Sequence, residues 1–104
     1  VFGVSGANFS SPFDQNSSLP ATASGNSAGP SVSISTSNSN DIIISGANGS
    51  GLSAGSGFTL ISSTNGNQDA DEYKVVTSTL SSSPVAFNGS LGNWEQVADA
   101  VQSL

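Results

Sequence analysis

The chain has 104 residues, 35% hydrophobic and only 8% charged, with one basic residue against seven acids for a formal net charge of −6. With Lys74 as its one cation it cannot neutralise a phosphate backbone, which excludes nucleic acid as a partner and disfavours anionic membrane surfaces. It contains no Cys and no His, so disulfides, thiolate metal sites and histidine-based catalysis are excluded as well.

Ser, Gly, Asn and Thr take the place of the missing charges, a composition that disfavours helices and suits turn-rich β-structure. Residues 1–7 read as a strand weakened by Gly3 and Gly6. Residues 9–29 carry no period and are expected to form a long surface loop. Residues 30–37 alternate, with Val32, Ile34 and Thr36 on one face and serines on the other. Ile42, Ile43 and Ile44 form a continuous apolar run within 41–45, as expected of a strand buried on both sides. That run is the longest aliphatic stretch and far too short to span a bilayer, so no membrane insertion is expected. Residues 58–62 and 85–88 are shorter strand candidates. Residues 73–80 alternate again, with Tyr73, Val75, Thr77 and Thr79 opposite Lys74, Val76, Ser78 and Leu80. Breakers fall at 25–30, 48–57, 65–71 and 81–84.

The last segment, residues 93–104, carries two conflicting signals. Trp94, Val97, Ala98, Val101 and Leu104 recur at helical spacing, and Asn93 with Gln96 resembles a capping box. A family resemblance argues for a strand instead.

That resemblance rests on two stretches. The first, V-F-G-V-S-G-A-N-F-S-S-P-F-D at 1–14, is similar to a strand ending in a Ser-Gly turn followed by Pro-Phe-Asp. The second runs from G-S-G-F-T-L-I at 55–61 through E-Y-K-V-V-T-S at 72–78 to N-W-E-Q-V-A-D-A-V at 93–101. Together they resemble a bacterial extracellular β-sandwich module of mostly unknown function. The resemblance implies successive antiparallel strands, the last closing the sandwich with Trp94, and brings no catalytic residues. It also implies further strands ahead of residue 1, so the chain resembles the C-terminal part of a larger sandwich. No signal peptide is visible, and the chain reads as a mature product or as part of something longer.

Five groups of residues are weighed for chemistry. Asn65, Asn67, Asp69 and Asp71 alternate and present oxygens suited to Ca²⁺, with Glu72 adjacent, although the spacing departs from an EF-hand loop. The alternative is a hairpin turn whose Asn and Asp residues suit turn dihedrals. Asp69, Asp71 and Glu72 are too close together for a glycosidase pair set across a cleft. A nucleophilic Ser would have only Lys74 as its base, so no catalytic residues are assigned. Trp94, Tyr73 and the five phenylalanines Phe2, Phe9, Phe13, Phe58 and Phe87 include the candidates for a sugar-stacking platform. Phe9 and Phe13, in the long loop, are the pair most readily exposed, and the preferred reading is that they pin that loop down. Asn8, Asn16, Asn48 and Asn88 head N-glycosylation sequons, and serine runs such as 31–39 suit O-linked sugars.

The expectation is therefore one all-β domain over residues 1–104, an antiparallel β-sandwich of jelly-roll or Ig-like type, secreted or displayed on a cell surface. Its expected core is Val32, Ile34, Ile42, Ile44, Phe58, Leu60, Tyr73, Val75, Phe87 and Trp94. The leading functional expectation is a non-enzymatic structural module, without cofactor unless Ca²⁺ binds. It would assemble as a homo-oligomer or filament, its sandwich completed by strands from another chain. The alternative to that completion is a complete domain with a small core. The alternative function is a carbohydrate-binding or adhesion module with glycans as partners.

Overall fold

A computed structural model describes residues 2–27 and 29–104, which form eight strands and, among the described residues, no helix. The strands are β1 (Ala21–Gly25), β2 (Ser31–Ile34), β3 (Asp41–Asn48), β4 (Ser53–Ala54), β5 (Thr59–Thr64), β6 (Asp69–Val76), β7 (Ser83–Asn88) and β8 (Trp94–Gln102). They make two antiparallel sheets, one of five strands in the order β1-β8-β3-β6-β5 and one of three in the order β2-β7-β4. The expected β-sandwich is what the chain forms. Consecutive strands change sheet at every connection except the β5–β6 hairpin, the connectivity of a jelly roll in which β5 has joined the larger sheet.

The two sheets enclose Ile34, Ile43, Val76, Val85, Ala98 and Ala100, with a second cluster of Leu52, Ala70 and Phe87 toward one end. Gln96 ties the sheets together, its Nε2 donating to Ser45 Oγ at 2.9 Å and to the Val85 carbonyl at 2.8 Å. Beyond β2, Thr36 closes the sandwich by exchanging bonds with Leu80: its N–H donates to the Leu80 carbonyl, and its Oγ1 accepts the Leu80 N–H.

Several expectations are corrected. The isoleucine run of β3 is not buried on both sides: Ile43 points between the sheets, while Ile42 and Ile44 lie on the outer face and are half-buried. The smaller sheet covers only one face of the larger, which is why the strand alternates. Strand β6 begins at Asp69 rather than Tyr73, and its inward residues are Ala70, Glu72 and Val76. Tyr73 and Val75 point outward, Val75 being 61% exposed. Leu60 is exposed at the edge, next to an irregularity between Leu60 and Ser62. The long loop expected over 9–29 contains β1, the breaker at 48–57 contains β4, and β7 starts inside the breaker at 81–84. Pro84 is tolerated in β7 because it pairs only with Ser33 of β2, and β4 joins β7 only at Phe87 and Asn88.

The C-terminal segment is strand β8, paired with β1 on one side and β3 on the other. Trp94, Gln96, Ala98 and Ala100 take the inward phase, so the helical spacing of Val97 and Val101 places them on the outer face. Past Ala98 the edge vacated by β1 is taken by the N-terminal segment. Asp14 N–H donates to the Ala100 carbonyl, Gln102 N–H to the Pro12 carbonyl and Asn8 N–H to the Gln102 carbonyl. The expected first strand is not seen over residues 2–7, where only Ala7 bridges, to Ser103; Val1 lies outside the described residues.

Candidate binding face

The five-stranded sheet has one face against the smaller sheet and one facing out. Pairing register organises the outer face into rows that cross all five strands. Thr22 of β1 stands opposite Val97 of β8, which pairs with Gly46 of β3, which pairs with Asp71 of β6, which pairs with Ser62 of β5. Two residues along each strand the same pairing links Ser24, Glu95, Asn48, Asp69 and Thr64. These two rows are the walls of a groove of about 820 Å³, floored by the backbone of Ala23, Gln96, Ala47 and Ala70 between them.

Gly46 sits at the middle of the first row and leaves the groove open there. A Cβ at this position would come within 2.8 Å of Asp71 Oδ1. In the second row Asn48 Nδ2 donates to Asp69 Oδ1 at 2.6 Å, holding the carboxylate across the β3–β6 pair. The walls therefore present three carboxylates, one amide and four hydroxyls, with Val97 as the apolar member. Beside the second row a smaller recess is lined by Ser24, Gly25, Asn26, Asn48, Asn93, Trp94 and Glu95, contiguous with the groove through Ser24, Asn48 and Glu95. The Trp94 indole covers Gly25, where a side chain would strike the ring, and its Nε1 donates to the Ser27 carbonyl at 3.2 Å.

On the other side of the groove the outer face turns apolar. The adjoining row is Asp99, Ile44, Tyr73 and Thr59, and the next is Phe13, Val101, Ile42 and Val75. The face is thus polar over one half and, Asp99 apart, aliphatic-aromatic over the other, with the half-exposed rings of Tyr73 and Phe13 in that second half. Lys74, the one base, lies on the opposite face of β6, its Nζ 5.7 Å from the centroid of Phe58.

The residues expected as Ca²⁺ ligands divide between two places. Asn65 and Asn67 adopt positive φ in the β5–β6 turn, and their side chains are engaged there: Asn65 Nδ2 donates to Gln68 Oε1, and Ser63 Oγ donates to Asn67 Oδ1. Asp69 and Asp71 belong instead to the groove walls. Among the described residues no three acidic, Cys or His side chains are grouped to hold a metal ion. Glu72, next to Asp71 in sequence, points the opposite way and is fully buried between the sheets.

Of the sequon asparagines, Asn8 caps its own turn by accepting the N–H groups of Ser10 and Ser11, and Asn16 Nδ2 donates to Ser37 Oγ. Asn88 Nδ2 donates to the Ala54 carbonyl. Asn48 stands in the groove wall, so a glycan on it would fill the groove. Of the two loop phenylalanines, Phe9 is 90% exposed and pins nothing, whereas Phe13 lies beside Val101. Sequence reasoning missed Thr22, Ser24, Gly46, Glu95 and Val97; their only signal is the pairing of strands far apart in the chain.

No protein-family model, curated protein or solved structure matches the chain.

Proposed function

We propose that this chain is a secreted or cell-surface module, without catalytic chemistry, that binds a glycan across the outer face of its larger sheet. The observation that carries this reading is the groove between two cross-strand rows of carboxylate, amide and hydroxyl side chains, floored by strand backbone and opened at Gly46. A sugar offers vicinal hydroxyls, which such groups accept from and donate to, and an apolar ring face, for which Val97 and Tyr73 supply surface on the same face. The test is retention on insoluble polysaccharides of the intact chain and of Gly46→Val, which narrows the groove without touching the core. Retention of the parent and loss in the variant support the reading; equal retention of both, or none, overturns it.

A second reading, assembly of copies into a homo-oligomer or filament, is favoured by one separate observation. Both free edges of the larger sheet, A-T-A-S-G in β1 and T-L-I-S-S-T in β5, lack any charged residue, and natural edge strands are ordinarily guarded by charge, Pro or a bulge. Only the irregularity at Leu60/Ser62 interrupts them. Edge-to-edge joining of β5 to β1 of the next copy would be head-to-tail and open-ended. Light scattering on the purified chain decides it, since a monomer at all concentrations removes this reading.

A further inference from the structure

The groove's ends and charge narrow what it takes. Resting on the glycan reading above, we infer that the ligand is an uncharged linear polysaccharide, gripped in mid-chain and lying across the strands.

The direction comes from the walls. Each wall is built from one residue of every strand in the sheet, so the groove runs perpendicular to the strands and over the sheet's whole width. Strands about 4.8 Å apart give five strands a span of about 19 Å, room for about four pyranose rings in line. Both mouths are open. At one edge the groove leaves between Thr22 and Ser24, at the other between Ser62 and Thr64, and among the described residues no further strand lies beyond β1 or β5. A site that selects a chain terminus needs a wall across one end. Here each end is a pair of short hydroxyl side chains on an edge strand, past which a polymer continues freely.

The charge of the ligand follows from what lines the groove. Asp69, Asp71 and Glu95 stand in the walls, and Lys74 is on the opposite face. Uronate or sulfate groups entering the groove would meet like charge with no cation to offset it. Uncharged hydroxyls donate to the same carboxylates without that penalty and remain bound as salt rises, since no ion pair is screened.

The experiment is calorimetric titration of the intact chain with soluble β-1,4-linked glucose, xylose and mannose oligomers of two to six units. Each is used native and with its reducing end converted to the alditol, and oligogalacturonate and glucosamine oligomers are titrated alongside. The expected result is affinity rising severalfold per added unit to a plateau at about four units. It is further expected to change less than about twofold on end reduction or in about 0.5 M salt, with oligogalacturonate silent. A disaccharide that binds as tightly as a tetrasaccharide, or binding abolished by end reduction, overturns mid-chain recognition while leaving the glycan reading in place. Binding confined to glucosamine oligomers and lost in salt overturns the uncharged ligand class. Silence of every oligomer, combined with no retention on insoluble polysaccharide, overturns both readings together.

Discussion

The carboxyl of Asp41 meets the carboxyl of Asp14 within hydrogen-bonding contact, both almost wholly buried where the N-terminal segment crosses the start of β3. Asp14 is richly served, accepting the N–H groups of Asn16 at 2.8 Å, Asn38 at 2.7 Å and Ser37 at 2.9 Å. Asp41 has less. Its Oδ1 accepts Asn38 Nδ2 at 2.9 Å, and among the described residues no donor reaches Oδ2. Burial raises Asp41 to about 6; Asn38 opposes the rise, and the facing Asp14 adds to it. Burial also pushes Asp14 up, but the three backbone donors and the Asp41 carboxyl outweigh it and hold Asp14 below the usual range. Below about pH 6 Asp41 is protonated, and one proton shared in this contact relieves the apposition of the two carboxyls.

This pair sets the pH dependence of stability. Asp41 contributes stability that is complete below its unfolded value of 3.8 and is lost as pH rises through about 6. Asp14 contributes the opposite way: its share is present above 3.8 and is lost as pH falls through its depressed value. Urea unfolding across the pH range is expected to show a maximum at about pH 4 and a decline toward pH 8. Asp41→Asn keeps a donor toward Asp14 and removes the titration of Asp41, so it should flatten the part of that decline below about pH 6. A midpoint that climbs from pH 5 to pH 8 in the parent chain is incompatible with the shared proton.

Glu72 adds to the same slope from the other end of the sandwich. Fully buried, it accepts one bond, from Gly55 N–H at 2.8 Å, and its Oε1 has no partner among the described residues. Burial raises it to about 7, the Gly55 amide opposing. Its stabilising contribution is complete below 4.5 and lost as pH rises through about 7. Ionised Glu72 costs about 3 kcal/mol above that pH. Glu72→Gln removes that cost but leaves an amide N–H unpaired, so the expected gain is about 1–2 kcal/mol at pH 8 and none at pH 4. A loss of stability at pH 8 would count against a buried, unpaired carboxylate.

Gly55 and Gly46 should respond very differently to alanine. At Gly55 an added Cβ collides with the Ala86 carbonyl, rigid backbone that cannot move aside, and displaces the amide that serves Glu72. Loss of more than about 2 kcal/mol is expected. At Gly46 the Cβ meets only Asp71 Oδ1, the free end of a mobile side chain, so Gly46→Ala should cost less than about 1 kcal/mol. Thermal denaturation of the two variants side by side checks the contrast.

Phe9 and Phe87 make a similar pair. Phe87 is buried against Leu52 and Ala70, and Phe87→Ala should cost about 3–5 kcal/mol. Phe9 is almost bare, and Phe9→Ser should change stability by no more than about 0.5 kcal/mol. A large loss for Phe9→Ser would mean that it is covered in solution.

The sequence made the sandwich legible wherever alternation matched a covered face, as in Val32, Ile34 and Thr36. It misled at β6 because Tyr73 and Val75 carry the hydropathy while Glu72 takes the inward position, an inversion that depends on an amide from Gly55 seventeen residues away. Strand β1 escaped notice because Ala21 and Ala23 carry little hydropathy; small inward residues suffice where β1 meets Ala98 and Gln96. The groove was least legible. Asp69 and Asp71 stood out as acids near a turn and Asn48 as a sequon, but nothing local joins them to Thr22 or Glu95. Only the register of five strands does.

Because each groove wall is a rung of cross-strand neighbours, no two members of one wall share a strand. A substitution at Thr22, Glu95 or Ser62 therefore alters one position along the groove without shifting the backbone that carries the next. Such a surface is a keyboard: its selectivity can be rewritten one key at a time, while the inward residues of the same strands, on which folding depends, stay as they are.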